Sequence, residues 1–113
     1  MGPPSDDSEA PARPVPRRVA TPWRAGVVLV CRECDGAKGF GPKRVRAAFR
    51  AEVKSALPRR TVRVLAVECL DVCPKGAVTV ATLGLSEATV VVRRAAECAT
   101  VVDGLAAAHA ADR

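Results

Sequence analysis

The sequence predicts an α/β domain, a mixed sheet in the order β-α-β-β-β-α with flanking helices. Three observations predict it. Short Val-rich apolar runs are interrupted by one stretch of helical period. Two of those runs frame the helical stretch within about 40 residues, which marks a βαβ unit with parallel strands and a right-handed crossover. Four of the five cysteines form two close pairs, Cys31-Arg32-Glu33-Cys34 and Cys69-Leu70-Asp71-Val72-Cys73, and each pair follows one of the framing runs.

The elements follow in chain order. Residues 1–23 hold Pro3, Pro4, Pro11, Pro14, Pro16 and Pro22 among small and charged residues, a composition that cannot pack a core; they are expected to form a disordered tail. Trp23 marks the junction with a domain spanning 24–113, its ring expected on the core. Gly26-Val-Val-Leu-Val-Cys31 is a continuous apolar run rich in β-branched residues, as in a buried strand. Gly36, Gly39 and Gly41 mark a loop, and Pro42 suits a helix start, where its missing N–H costs nothing. From Lys43 to about Leu57, Val45, Phe49, Val53 and Leu57 recur every four residues with Ala48 and Ala56 alongside, giving one apolar stripe. Pro58 ends the helix. Its other face carries Lys43, Arg46, Arg50 and Lys54, a basic stripe that serves either as a solvated face or as a docking surface.

Thr61 to Val67 reads as the second strand. Ala77–Ala81 and Ala88–Val92 read as a hairpin whose turn contains Gly84. Arg93 to about His109 is Ala-rich and predicts a closing helix, with Gly104 as its weak point.

The bulk composition sets limits. A chain of 113 residues is one small domain, in the size range where a metal centre stabilises usefully. Aromatic residues are limited to Trp23, Phe40 and Phe49, so the core must come from Val, Leu and Ala, and base-stacking platforms are not expected. No run approaches the ~20 apolar residues of a membrane span. The first 22 residues have no apolar core of a secretory signal, so a cytoplasmic, reducing setting is expected, without a disulfide framework. The net charge is +6. Residues 1–25 hold Arg13, Arg17, Arg18 and Arg24 against Asp6, Asp7 and Glu9, so most of the excess belongs to the folded part. That suits an acidic partner or simple solubility.

Two close cysteine pairs in a reducing compartment point to metal or cluster ligation. Parallel strands put both following loops at the same sheet edge, so topology brings the four thiols of Cys31, Cys34, Cys69 and Cys73 together. Thiolates bind iron and zinc, and N–H groups of glycine-rich loops together with Lys38 and Lys75 favour the anionic form. Glu33, Asp35, Glu68 and Asp71 flank the cysteines, but no general acid–base pair is evident, so no catalytic residue and no enzyme activity are expected. Cys98, in the last predicted helix, reads as a buried structural thiol, and His109 as a non-ligand.

The segment Cys69-Leu-Asp-Val-Cys-Pro-Lys-Gly-Ala-Val78, with the upstream pair and the element order, resembles the thioredoxin-like 2Fe-2S ferredoxins over residues 26–108. In that family two cysteines follow the first strand and a C-x3-C pair follows the second. The resemblance implies Cys31, Cys34, Cys69 and Cys73 as ligands of a 2Fe-2S cluster, a thioredoxin-like fold and a one-electron carrier. The better-known members have a longer insert between the first two ligands, where this chain has only Arg32 and Glu33.

Other readings stay open. The same four cysteines suit a zinc-binding structural or interaction module, since C-x2-C also serves zinc. A thiol–disulfide enzyme built on Cys31 and Cys34 leaves the second pair unexplained and has glycine-rich sequence before its helix. A basic nucleic-acid binder is the remainder, and is not expected. The partner implied by the carrier reading is a redox protein with an acidic docking surface, away from any membrane; a homodimer is compatible with it.

Overall fold

The computed structural model describes residues 13–20, 26–72 and 74–111. The elements run β1 (Gly26–Cys31), α1 (Pro42–Ala56), β2 (Val62–Val67), β3 (Val78–Leu83), β4 (Ala88–Val92) and α2 (Ala95–Ala111). This is the predicted β-α-β-β-β-α order. The four strands form one mixed sheet in the order β2-β1-β3-β4, with β1 parallel to β2 and the other two pairs antiparallel.

α1 begins at Pro42, where Gly41 caps with no side-chain bond, and stops as Leu57 turns extended before Pro58. Its stripe of Val45, Phe49 and Val53 is buried, and Leu57 joins the core just past its end. Ala56, expected on that stripe, is the last residue of the helix and is exposed. α2 runs through Gly104 without a break and buries Cys98, Val102 and Leu105. Packing of that stripe outweighs the ~1 kcal/mol helix penalty of a glycine.

The two helices pack on each other, α1 over β1 and β2, α2 over β4. Both therefore lie on one face of the sheet, rather than on opposite sides. Alternate strand residues meet them: Val28, Val30, Val62, Val64, Val78, Val80 and Val92 are buried in one cluster around Phe49. Val27, Leu29, Leu65, Ala81 and Val91 take the other parity and are only half-buried.

Residues 13–20 are exposed and carry no helix or strand. The rest of the predicted tail, with Trp23, lies outside the described residues. Among the described residues no helix is long and apolar enough to cross a membrane.

Candidate metal centre

β1 and β2 end together. Cys31 stands opposite Val67 in the parallel register, and the Arg32 N–H donates to the Val67 carbonyl at 2.8 Å. The chain leaves the sheet at this corner twice, once into each cysteine loop. Arg32 and Glu68, the residues just beyond, form an exposed ion pair at 3.3 Å. Such a pair contributes about 0–1 kcal/mol, so the register rather than the charge holds the two loops side by side.

Cys31, Cys34 and Cys69 border one 160 Å³ cleft at this corner, with Pro74 and Lys75 from the second loop. Glu33 and Asp35 complete its rim. Cys31 is 1 % exposed. Burial pushes its thiol pKa up, but N–H groups of Glu33, Leu70 and Cys34 and the Cys34 thiol together bring it below the ordinary value. Leu70 belongs to the second loop, so the sulfur of the first pair is held by the backbone of the second.

Cys34 is half-buried, its Sγ 3.8 Å from Thr79 Oγ1 and 3.9 Å from the Val72 carbonyl. Cys69 is exposed, and its Sγ accepts the Asp71 N–H at 3.2 Å. Asp71 itself takes the left-handed conformation, φ 65°, which aspartate tolerates better than most residues. Thr79, fully buried, donates to the Val72 carbonyl at 2.9 Å and so ties the second loop to β3.

The first loop turns on Gly36. Its φ is +82°, and a Cβ there would stand 2.6 Å from the Phe40 carbonyl oxygen and 2.7 Å from the Gly41 Cα. Only glycine fits both the dihedral and the space.

The structure thus gathers three of the four predicted ligands around one space, and Cys73 lies outside the described residues. Among the described residues, no three His, Cys, Asp or Glu side chains already stand converged as a metal-holding group. The Cys34 and Cys69 sulfurs are engaged instead in local hydrogen bonds. The donor set itself suits a thiophilic metal: free thiols from two adjacent loops, one of them favoured as the anion by main-chain donors.

Lys75 reaches the cleft as expected, whereas Lys38 is exposed and does not border it. The anion-favouring N–H groups come from Glu33, Cys34 and Leu70, not from the glycines. Cys98 is fully buried on α2, and burial with Glu97 and Glu52 pushes its pKa to about 11, so it stays a neutral thiol. Sequence reasoning missed Thr79. Its signal was a polar residue alone between Val78 and Val80, on the parity opposite to those core residues.

Compared with known protein families, characterised proteins and solved structures, the chain matches none.

Proposed function

We propose that the chain is a small 2Fe-2S protein of the thioredoxin-like ferredoxin type that carries one electron, with Cys31, Cys34, Cys69 and Cys73 as the ligands. The observation that carries this reading is the joint cleft: Cys31, Cys34 and Cys69 share it, and N–H groups of both cysteine loops favour the Cys31 anion. The element order and the β2-β1-β3-β4 sheet support the finer fold assignment.

When bound, such a cluster supplies a one-electron couple. The protein's part is to hold and tune. The Glu33, Cys34 and Leu70 N–H groups stabilise negative charge on Cys31. The Asp71 N–H donates to the Cys69 sulfur and fixes its position. Thr79 fixes the second loop through Val72 and sits beside Cys34. Cys31 is screened from water and Cys69 faces it, so the site has a sheltered and an exposed side. The exposed side is where a redox protein with an acidic surface complementing the basic chain would dock. The setting is the reducing cytoplasm, and no substrate pocket is required.

An anaerobic visible spectrum of freshly purified protein, with iron, sulfide and zinc assayed on the same sample, tests this. A brown protein with iron and sulfide in equal amounts, lost on replacing Cys31, Cys34, Cys69 or Cys73 by Ser, is the expected result. A colourless zinc protein that stays colourless after iron–sulfide reconstitution overturns it in favour of a structural zinc module.

A further inference from the structure

A recess larger than the cysteine cleft, a 490 Å³ groove, lies between α1 and the edge strand β2. Arg46, Arg50 and Lys54 border it from the helix, and Arg59, Arg60 and Arg63 from the turn and strand. Among the described residues no carboxylate borders it. Its floor is apolar, formed by Val53, Leu57, Val62 and Val64. Among the described residues the ion pair that forms is Arg32–Glu68, so none of the six cations is neutralised by one. A second, smaller recess, bordered by Arg32, Lys43 and Arg46, continues the positive surface toward the cysteine corner.

Ordinary explanations cover only parts of this. Cations near a helix C-terminus are favoured by the dipole, which accounts for Lys54 but not for Arg46 or Arg50 in the middle turns. A charge on an edge strand discourages unwanted pairing, which accounts for Arg63 alone. Two details single out the groove as a binding surface. Among the described residues Arg46 Nε is buried without a hydrogen-bond partner, so its guanidinium is already partly stripped of water and meets a carboxylate at reduced desolvation cost. Arg60 sits at φ 62°, a left-handed position that glycine adopts freely, in a turn closed by the Thr61 N–H on the Pro58 carbonyl. The turn holds a strained arginine at the groove's mouth.

We propose that this groove binds an acidic, extended segment of a partner protein, which adds beside β2 as a further strand. Among the described residues β2 is first in the sheet order, and its outer row of N–H and C=O groups has no strand neighbour. The six residues of β2 offer about 20 Å of such edge. The partner's carboxylates meet the six cations, and its interspersed apolar side chains cover the Val53–Leu57–Val62–Val64 floor. Nucleic acid is a poorer fit. It cannot use the strand edge, the floor is aliphatic, and Phe49 beneath it is fully buried. The groove reaches beyond the basic helix stripe and operates whether or not a cluster fills the cysteine cleft.

The test uses the full chain as purified, at physiological ionic strength, and fluorescence anisotropy of a labelled peptide of alternating Glu and Val. Binding is expected, and the combined substitution Arg50→Glu, Arg60→Glu and Arg63→Glu should weaken it by about tenfold or more. The control Arg93→Glu with Arg94→Glu, on the far β4–α2 turn, should change it less than about twofold. Equal losses from both sets would mean diffuse charge attraction and overturn the site. A peptide with a central Pro should lose about fivefold, and unchanged affinity would overturn strand addition. Tighter binding of an oligothymidylate than of the peptide would reassign the groove to nucleic acid. A gain of about tenfold on Asp6→Asn, Asp7→Asn and Glu9→Gln would show that the chain's own acidic segment is the occupant, and overturn a partner in trans.

Discussion

Thr79 Oγ1 donates to the Val72 carbonyl at 2.9 Å and lies 3.8 Å from Cys34 Sγ, so one buried hydroxyl on β3 touches both cysteine loops. Thr79→Val keeps the shape and deletes the hydroxyl, leaving the Val72 carbonyl without this donor. A loss of about 1–2 kcal/mol in urea unfolding is expected. If the hydroxyl positions the site, affinity for iron or zinc should fall by about tenfold or more, and Cys34 in metal-free protein should react faster with a maleimide. Thr79→Ser should restore both.

Gly36 lies two residues after Cys34 and carries the turn back toward α1. Gly36→Ala meets a forbidden dihedral and two backbone atoms closer than 3 Å, neither of which yields cheaply. The expected cost is about 2–4 kcal/mol, read by thermal or urea unfolding. Gly39 shares the positive φ but has open space around its Cβ position, so Gly39→Ala should cost about half as much or less.

Cys98 gives a pH signature. Its folded pKa is raised to about 11 from 9.0, mainly by burial and then by Glu97 and Glu52. The unfolded chain therefore releases this proton first, and stability falls as pH rises from 9 towards 11. After allowance for screening the loss is about 1–2 kcal/mol. Urea unfolding of the wild type and Cys98→Ala at pH 8 and near 11 checks it. The variant should be less stable at pH 8, yet show the smaller further fall at high pH.

Arg60 separates binding from folding. In Arg60→Gly the left-handed turn is relaxed, so stability should hold or rise by up to about 1 kcal/mol. Affinity for the acidic peptide should fall by about threefold. A substitution that instead lowered both would mark Arg60 as a structural residue.

Much of the fold was legible because each local signal agreed with the packing. β1 begins and ends where the Val run does, and α1 is bounded by Pro42 and Pro58, which act on the backbone alone. α2 ran through Gly104 because tertiary burial of Val102 and Leu105 decided it. The cysteine loops were legible by a topological argument, since parallel neighbours share a C-terminal edge. The N–H groups that favour the Cys31 anion were not, because which main-chain donor reaches a sulfur depends on loop dihedrals that the residue types leave open.

The sequence by itself determined the secondary elements, their order and the two thiol pairs, because periodicity, proline placement and spacing are local properties of the chain. Only the tertiary structure decided that both helices share one face, that β2 lies at the edge, and that Thr79 bridges the two loops. It also decided that six cations from a helix, a turn and a strand border one apolar groove. These depend on distances between residues far apart in sequence, and those distances are set by how the apolar faces pack.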